Sequence, residues 1–507
     1  MKTAREKILP LTMAAQAAAQ ARVQGKKVVH CHGVFDLLHI GHVRHFEAAR
    51  KLGGFLVVTV TPDRFVNKGP HRPVFNESLR AENIAALGCV DVVAINESPT
   101  AVEPIKALRP HLYVKGSDYK KQGDDVTGGI KKEESAVRSV GGRLVYTEDI
   151  TFSSSRLLNE HLPIFPPEAA AFLAGFRRRH PPEDLRRYLE NASKLKVLVV
   201  GEAIVDEYRY CEAIGKSSKE PTLVVKQLDS ELFAGGTLAV ANNVAAFAKE
   251  VGLVTFLGGR DSRLDFIKKK LRANVKPKFL FRKGAPTIHK TRYVEHYHFT
   301  KLLEIYDIDD SVMSEADEDR LCAALRREVP RYDLVVVFDY GHGMLGRKAI
   351  DTIIRHAKFL AVNTQSNAGN AGYHTIGRYK SADLVCLAEG ELRMEQRDRR
   401  GPLEPLIKKL ADRLGHKRMI VTRGKSGCVV YDGKFATVPA FAGQVRDRIG
   451  AGDAFLSLAA LCAAQKAPLE VAGFVGNVAG AQAVATVCHR DSLDKAALIK
   501  SAEALVK

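Results

Sequence analysis

The sequence lacks the features that would assign it to a membrane or disulfide-rich class. No stretch of its 507 residues approaches the run of about 20 uncharged apolar residues that a membrane-spanning helix needs. The 8 cysteines are scattered and none forms a C-x-x-C pair, which argues against a zinc site or a disulfide framework. The run Leu11–Ala21 lacks the strongly apolar core of a signal peptide, so it predicts a surface helix. We therefore expect reduced thiols and a cytoplasmic protein.

Aromatic residues are absent from the basic runs. The formal net charge is +19 at pH 7, and such a charge can indicate a nucleic-acid-binding face. The runs Arg177–Arg179 and Lys268–Lys270 contain no interleaved aromatic residue. We therefore expect the charge to be spread over helix surfaces and sites for anionic small molecules, with neither nucleic acid nor membrane as a partner.

Two α/β patterns follow each other along the chain. In the first, short β-rich runs alternate with helical patterns, which predicts a parallel sheet with helices on both faces. Its predicted strands are Val28–Cys31, Phe55–Thr61, Val90–Ile95, Leu112–Lys115 and Arg143–Tyr146. A second pattern begins at Lys196. Its strand signals include Leu334–Phe338, Leu360–Asn363, Leu384–Leu387, Met419–Thr422 and Cys428–Tyr431.

Proline clusters separate the two patterns. They lie at Leu162–Pro167 and His180–Pro182, with a short helical stretch between them, and prolines of this kind mark linkers. The predicted division is an N-terminal helix at 1–26, a first domain at 27–162, a linker at 163–195 and a second domain at 196–507.

Two histidines follow the first predicted strand, in the run His39-Ile40-Gly41-His42 that opens a helix. Imidazoles and a helix N-terminus can donate hydrogen bonds to the negative charge that builds on an α-phosphate under attack. Gly41 lets the backbone approach a phosphate closely. The run is short, and two histidines at this spacing are more often structural than catalytic.

Further motifs in a fixed order favour the catalytic interpretation. They are Gly33-x-Phe35-Asp36, Thr61–Asp63, Lys68–Val74, Arg80, Val114–Tyr119 and Thr151–Ser155. With them, the stretch Val28–Leu162 resembles the cytidylyltransferase-like nucleotidylyltransferases, most closely that half of the bifunctional heptose phosphate kinase/nucleotidylyltransferases. The resemblance implies a Rossmann-like domain that transfers a nucleotidyl group from CTP or ATP. The serine-rich run Phe152–Ser155, where many relatives carry threonines, leaves the nucleobase open.

This resemblance also implies residue roles. His39 and His42 would stabilise the transition state, and Lys68 would reach the phosphates from a loop. The residues that would line the nucleotide are Gly33, Phe35, Asp36, Gly41, Arg80, Lys115, Ser153, Ser154 and Ser155. For Lys68 and Arg80 the alternative is solvated surface charge.

The second reactive motif is Gly450-Ala451-Gly452-Asp453, which predicts a glycine turn at the start of a helix. Backbone N–H groups of such a turn can face an oxyanion, while the adjacent carboxylate takes a proton from an attacking hydroxyl. A single motif of this kind is weak evidence, because glycine turns near helix ends are common. The run Gly424-Lys425-Ser426 is not a P-loop, because Met419 stands where the earlier glycine is required.

Together with Val199–Asp206, Phe233–Asn243 and Val421–Cys428, this motif makes the stretch Lys196–Val487 resemble the ribokinase-like (PfkB) sugar kinases, again most closely the heptose phosphate type. The resemblance implies a three-layer α/β/α domain with a small β lid, which uses ATP and Mg²⁺. Asp453 would be the general base, and Gly450, Ala451 and Gly452 would form the anion hole.

The same resemblance assigns the remaining residues of this half. Arg423, Gly424 and Asn477 would lie near the nucleotide, whereas Asp206, Gly235, Gly236 and Asn242 would contact the acceptor sugar. Glu391 would hold magnesium through water. The irregular strands from Tyr208 to Leu232 would form the lid, through which we expect a homodimer.

This half also departs from its relatives. Ala388 replaces an asparagine, Asn363–Asn367 replaces an Asp-Pro-Lys type turn, and Ile449 replaces a threonine. The halves also occur in the reverse order from the heptose enzyme. Our leading hypothesis is a bifunctional enzyme that phosphorylates a sugar or sugar phosphate and then activates it with a nucleotide. The alternative is an active nucleotidylyltransferase whose kinase-like half is catalytically silent and serves sugar binding or dimerisation.

Overall fold

The computed structural model describes residues 3–66, 72–116, 129–147 and 165–506. The chain divides into two compact units, one comprising Met1–Pro167 with Ile499–Lys507 and the other Glu168–Leu498. Both units are α/β, which confirms the predicted fold class. None of the helices in the described ranges is both long enough and apolar enough to cross a membrane.

The first unit is built on a 5-stranded parallel sheet with the strand order β3-β2-β1-β4-β5. The strands are β1 Val28–Gly33, β2 Phe55–Val60, β3 Val92–Ile95, β4 Leu112–Gly116 and β5 Arg143–Thr147. The helices are α1 Ala4–Lys7, α2 Leu11–Val23, α3 Ile40–Lys51, α4 Glu77–Ala85, α5 Val102–Leu108 and α6 Gly129–Ser139. The chain reverses direction across the sheet between β1 and β4, and ligands of open parallel sheets bind at such a point.

Valine-rich strands explain why this sheet forms as predicted. Val29, Val58 and Val93 are fully buried in one core of the unit, as expected of parallel strands covered on both faces. The predicted surface helix at Leu11–Ala21 is confirmed as α2, whose outer face is exposed, with Met13 at 51%. Ala14, Ala18 and Ala21 form a buried face of α2, because alanines at helical spacing let the helix approach the sheet closely.

The second unit contains a 9-stranded sheet with the strand order β10-β9-β6-β13-β14-β15-β16-β17-β18. These strands are β6 Lys196–Gly201, β9 Glu250–Gly258, β10 Val275–Arg282, β13 Leu334–Asp339, β14 Leu360–Thr364, β15 Leu384–Ala388, β16 Met419–Thr422, β17 Cys428–Tyr431 and β18 Phe435–Val438. Neighbouring strands are parallel from β10 to β16 and antiparallel from β16 to β18. The strands predicted in this half are therefore confirmed.

Helices cover this sheet. Those that follow the first unit's six are α7 Pro167–Arg179, α8 Pro182–Asn191, α9 Thr237–Ala245, α10 Leu264–Lys270, α11 Glu315–Glu328, α12 Arg347–His356, α13 Glu389–Gln396, α14 Leu403–Leu414, α15 Ala451–Ala464, α16 Leu469–Val484 and α17 Lys495–Val506. Helices α15 and α16 pack against each other and are buried along most of their length. A helix that is apolar on all sides belongs in a core.

A separate 4-stranded sheet, which we call the lid, has the order β12-β11-β7-β8. Its strands are β7 Ala203–Lys216, β8 Leu223–Gly236, β11 Ile288–Glu295 and β12 Thr300–Asp307. Strands β7 and β8 form a long antiparallel hairpin, and β11 pairs with β7 in parallel. Two of these strands, β11 and β12, have no counterpart among the predicted strands.

The segment predicted as a linker contains the helices α7 and α8. Phe176 of α7 is fully buried, and its ring stacks on Phe474 of α16 at a centroid distance of 4.5 Å. Gln465, which follows α15, donates a hydrogen bond to the carbonyl oxygen of Tyr188 in α8 at 2.9 Å. Both helices thus pack within the second unit.

Candidate active sites

In the first unit, helix α3 begins at the two predicted histidines. His39 is the N-cap, and its Nδ1 accepts a hydrogen bond from the backbone N–H of Gly41 at 3.1 Å. The Nδ1 of His42 accepts from the backbone N–H of His39 at 3.4 Å, and the two rings stack with centroids 4.0 Å apart. Because each Nδ1 accepts a hydrogen bond, each neutral imidazole carries its hydrogen on Nε2. Both rings are thus prepared as Nε2–H donors.

Phe35 holds the second of these rings in place. Its backbone is left-handed, with a φ of 50°, which is uncommon for a bulky residue and frequent at functional sites. The Phe35 ring meets His42 edge-on at 5.6 Å and Phe46 at 4.9 Å. A side chain at Gly33 would press on the Phe35 ring. The strand end and the aromatic ring together fix the start of α3.

Asp36 and Arg80 are both buried, and the side chain of each is hydrogen-bonded within the protein. Asp36 accepts hydrogen bonds from the backbone N–H groups of Val74 at 2.9 Å and Phe75 at 3.3 Å. A carboxylate with backbone donors of this kind orders the chain before α4.

Arg80 is held by several partners inside the first unit. Its guanidinium donates to the carbonyl oxygens of Thr61 at 2.8 Å and Phe75 at 2.9 Å, and also to that of Val34. It pairs with Asp63 at 2.7 Å. The Arg80 side chain is fully buried, so it ties strand ends together beneath the site and does not present its charge to a nucleotide. The surface-charge alternative is excluded as well.

Lys115 lies at the end of β4, where a ligand is expected. It forms a buried ion pair with Glu133 of α6 at 3.0 Å, and its ammonium lies 5.2 Å from the centre of the Tyr113 ring. Two histidines that sequence reasoning missed, His30 and His32, share the hydroxyl of Thr59 at 2.8 Å each. Burial, reinforced by the Lys115 charge, lowers the pKa of His30 to about 3 and lowers that of His32 well below its usual value.

Four of the residues predicted for this site, Lys68, Ser153, Ser154 and Ser155, lie outside the described residues. The described part of the site is therefore the strand ends, α3 and their supports.

In the second unit, helix α15 begins at the glycine turn. Its N-cap, Gly450, is left-handed with a φ of 81° and provides no side-chain cap. Any side chain at Gly450 would collide with the ring of His489. Asp453, the third residue of α15, is buried, and its Oδ1 accepts a hydrogen bond from Nε2 of Gln365 at 2.7 Å. Burial raises the pKa of Asp453, opposed by the nearby His489 and by the hydrogen bond from Gln365.

The predicted acceptor residues gather near the same turn. Asp206 of β7 is buried and forms an ion pair with Arg292 of β11. Glycine is required at Gly235, because a side chain there would overlap the Asp206 carboxylate. One side-chain atom each of Asp206, Cys488 and His489 lies within 4.8 Å of the others. The structure thus brings the lid, the glycine turn and the loop after α16 to one point.

His489 lies where these three elements meet, and no sequence motif predicted it. It follows the small-residue helix α16 without any motif around it. It is recognised only in the structure, where its ring lies against Gly450.

Glu391 supplies a second, partly buried carboxylate. Its Oε2 accepts from the backbone N–H of Ala388 at 2.7 Å and its Oε1 from that of Ser366 at 3.1 Å. Burial raises the pKa of Glu391 to about 7, and the negative charge of Asp453 acts in the same direction. Two carboxylates that repel each other suit a divalent cation, and oxygen donors are the ligands that Mg²⁺ prefers. The donor set therefore fits magnesium.

The remaining predicted residues serve mainly as structural supports. Arg423, just before a short 3-10 turn at Gly424, pairs with Glu389 at 3.1 Å. Asn477 donates to the carbonyl oxygens of Val438 at 3.2 Å and Pro439 at 3.0 Å. These contacts position the turns around the expected nucleotide site.

Asn242 has a comparable supporting role beside a cavity. Its side chain donates to the carbonyl oxygen of Lys270 and accepts from the N–H of Arg272, both at 3.0 Å. Lys270 and Arg272 line a cavity together with Gly450 and His489. Asn242 thus holds a basic segment at the edge of the site.

Two family models match the chain. Residues 194–496 match the pfkB family carbohydrate kinase model, and residues 30–159 match the cytidylyltransferase-like model. Both domain types use nucleoside triphosphates as substrates. The matched ranges contain all the predicted site residues.

Curated relatives and solved structures resemble parts of the chain. "Bifunctional protein HldE" of Magnetococcus marinus is 43% identical over 145 residues, 28% of each chain. That of Campylobacter jejuni subsp. jejuni is 28% identical over 298 residues, 58% of this chain and 62% of that one. The alignments thus span between 28% and 62% of these relatives' length. Escherichia coli phosphofructokinase-2 in complex with potassium is 15% identical over 60% of this chain and 97% of its own, with a TM-score of 0.49.

The pfkB model covers well over half of the 507 residues. The N-terminal domain is cytidylyltransferase-like. The chain therefore belongs to the pfkB family of carbohydrate kinases and carries a cytidylyltransferase-like domain ahead of the kinase domain.

Proposed function

We propose that this chain is a bifunctional enzyme that makes a nucleotide-activated sugar. The second unit phosphorylates a sugar phosphate with ATP, on its anomeric hydroxyl. The first unit then couples the new phosphate to a nucleotide from CTP or ATP and releases pyrophosphate. The observation that carries the proposal is the placement of a buried carboxylate, Asp453, behind an uncapped glycine turn in one unit and of paired imidazoles at a helix start in the other.

In the kinase reaction, Asp453 takes the proton of the acceptor hydroxyl as its oxygen attacks the γ-phosphorus. The bond from the γ-phosphorus to the bridging oxygen breaks and ADP leaves. Burial raises the pKa of Asp453, which makes the carboxylate a stronger base than an exposed aspartate. The N-terminus of α15 has no side-chain cap, so its N–H groups can meet the phosphoryl charge.

Magnesium is expected to assist this reaction. Glu391 would hold it through water, close to the negative charge of Asp453. The ion would supply neutralising charge for the phosphates.

The cavity beside Gly450 favours an acceptor that already carries a phosphate. Lys270, Arg272 and Arg490 bring positive charge to its wall, which also carries Asp491 and Asp494. Arg490 is paired with Glu231, whereas Lys270 forms no ion pair with any residue in the described ranges. An unpaired ammonium beside a cavity suits a phosphate group.

In the transferase reaction, a phosphate oxygen of the sugar phosphate attacks the α-phosphorus of the nucleoside triphosphate, and pyrophosphate leaves. The Nε2–H groups of His39 and His42 can donate to the oxygens on which charge builds. Lys68 and the serines at 153–155 remain proposed contacts for the nucleotide, and Arg80 is proposed as a support beneath it.

A two-stage assay tests the proposal. ADP release is measured with a panel of sugars and their phosphates, and the product is then offered with CTP or ATP while pyrophosphate release is followed. We expect ADP release only with phosphorylated acceptors, and pyrophosphate release only with the product of that step or with a supplied sugar 1-phosphate. Pyrophosphate release from a supplied sugar 1-phosphate, without ADP release from any acceptor, would instead favour the silent-module alternative.

We also propose a homodimer formed through the lid. Its strands expose apolar side chains, among them Ile214, Leu223, Leu228, Leu303 and Ile305, which are 48% to 64% exposed. An apolar patch of this kind marks a contact surface, and a second copy of the chain would cover it. Light scattering should give twice the chain mass, and Leu303→Lys with Ile305→Lys should reduce it to one chain mass.

A further inference from the structure

The loop after β14 lies between the carboxylates of Asp453 and Glu391 in the second unit. It begins at Gln365, whose backbone N–H donates to the carbonyl oxygen of Asp339 at 2.9 Å. Asn367, two residues on, donates through its side chain to the carbonyl oxygen of Tyr340 at 2.7 Å. These bonds fix the loop to the end of β13, so its side chains project from a rigid backbone.

Two consecutive residues of this loop each hold one carboxylate. Gln365 donates through Nε2 to Oδ1 of Asp453 at 2.7 Å, and Ser366 donates through its backbone N–H to Oε1 of Glu391 at 3.1 Å. The loop therefore sets the distance between the proposed base and the proposed metal carboxylate.

The bond to Gln365 engages only one oxygen of Asp453. The groups around the carboxylate are His489, Tyr340, Asp206 and Gln365. Gln365 donates to it through its side chain at normal hydrogen-bond distance, and the Tyr340 hydroxyl also lies close enough to interact with the carboxylate. Since Oδ1 is held by an amide that cannot accept a proton at that point, Oδ2 is left as the oxygen that receives the proton of the acceptor.

We infer that Gln365 is the positioning residue of the general base, an amide that orients Asp453 so that one carboxylate oxygen faces the acceptor hydroxyl. This inference rests on the proposed kinase function. Gln365 does not touch the reacting atoms, and it acts through Asp453. A small rotation of a base can cost a large factor in rate, because proton transfer needs close alignment.

Steady-state kinetics of the full-length chain test the inference. Gln365→Leu keeps the approximate size of the side chain and removes the donor. We expect kcat of the kinase to fall roughly 10- to 100-fold while KM for ATP and for the acceptor changes less than about twofold. Gln365→Lys restores a donor of similar reach and should recover most of the lost kcat.

Gln396→Leu is the matched control. Gln396 ends α13 and donates to the carbonyl oxygen of Leu406 at 3.4 Å, away from both carboxylates. We expect wild-type kcat and KM from this variant. Equal losses in Gln365→Leu and Gln365→Lys would indicate general loop damage and overturn the inference, as would an unchanged kcat in Gln365→Leu.

A crystal structure of Gln365→Leu provides a readout that needs no activity. We expect the Asp453 carboxylate to rotate away from its wild-type orientation. An unmoved carboxylate would overturn the inference even if no acceptor is ever phosphorylated. An inactive wild-type enzyme with a rotated carboxylate in the variant would instead count against the proposed kinase function alone.

Discussion

Helix α3 of the first unit and helix α15 of the second both carry their proposed reactive residue at the third helical position, one residue after a glycine. In α3 this residue is His42, and the N-cap His39 occupies the N–H of Gly41 with its own ring. In α15 it is Asp453, and the N-cap Gly450 offers no side chain. The same local framework thus presents imidazole donors in one unit and open backbone N–H groups in the other.

The difference follows from what each reaction requires. Nucleotidyl transfer to a phosphate needs no base, because the attacking oxygen is already anionic, so the site can consist of donors. Phosphoryl transfer to a hydroxyl needs a proton acceptor, so a carboxylate takes the reactive position and the backbone replaces the missing donors.

The sharpest test of this comparison is Asp453→Asn. The amide cannot take the acceptor proton, so we expect kinase kcat to fall about 10²- to 10⁴-fold, with pyrophosphate release from a supplied sugar 1-phosphate unchanged. ADP and pyrophosphate assays on the same preparation measure both activities. A kinase that keeps its rate would show that Asp453 is not the base.

The complementary change is His42→Ala in the first unit. Loss of one donor to the α-phosphate should reduce the rate of pyrophosphate release about 10²- to 10³-fold, with kinase activity unchanged. His45→Ala is the control, because His45 lies on the same helix and bonds Thr147 at 2.9 Å. Equal losses in both variants would mean that α3 itself, and not the His42 imidazole, had been damaged.

The two units should also respond to pH in opposite directions. Burial lowers the pKa of His30 to about 3. Below pH 6.5, His30 is therefore protonated in the unfolded chain but stays neutral in the folded unit. The first unit therefore loses stability as pH falls from 6.5 towards 3. Burial, with the charge of Asp339, raises the pKa of Glu202 to about 7. The folded second unit then keeps a proton that the unfolded chain releases, and it loses stability as pH rises from 4.5 towards 7.

Urea titrations at pH 5 and pH 7, read by mass spectrometry of protease-resistant fragments, separate the two responses. At pH 5 we expect the His30 contribution to destabilise the first unit by about 2 kcal/mol. His30→Gln should weaken the pH dependence of that unit, with the contribution of His32 remaining, and Glu202→Gln should weaken that of the other, with the contribution of Glu391 remaining. Parallel pH responses in the two units would contradict the expectation.

The smallest expected effect concerns the glycine turn. Gly450→Ala forces a side chain into a left-handed position against His489, so we expect a loss of about 1–2 kcal/mol in unfolding free energy. Gly452→Ala is the matched control, because a side chain there meets open space. Thermal unfolding of both variants measures the difference, and similar melting temperatures would show that the turn tolerates alanine.

The sequence predicted the fold well where burial is continuous. Strands such as Phe55–Val60 are buried on both faces, so their apolar runs mark them without further information. The lid strand β11 was missed because it carries Lys290 and Arg292, whose charges are compensated only by residues on other strands. These charges are compensated only once the sheet has assembled, so the local sequence of β11 contains no pattern that predicts a buried strand.

The candidate sites show the same division. The helix starts at His39 and Gly450 were predicted because glycine and the reactive side chain lie next to each other in sequence. The bond from Gln365 joins residues 88 positions apart, so no local pattern marks it. Arg80 was placed on the correct helix, yet only the carbonyl oxygens converging on it show that it is a buried support.

The distribution of thiols makes the chain convenient for spectroscopic labelling. All 8 cysteines are free, and Cys89, between α4 and β3, is the one that is not fully buried. Burial raises the pKa of Cys89 as well as those of the others, such as Cys428 to about 12, but only the other seven are also shielded from thiol reagents by being buried. A maleimide dye should therefore attach at Cys89 without any engineered cysteine, and its fluorescence would report on the first unit while the second unfolds or binds its substrates unlabelled.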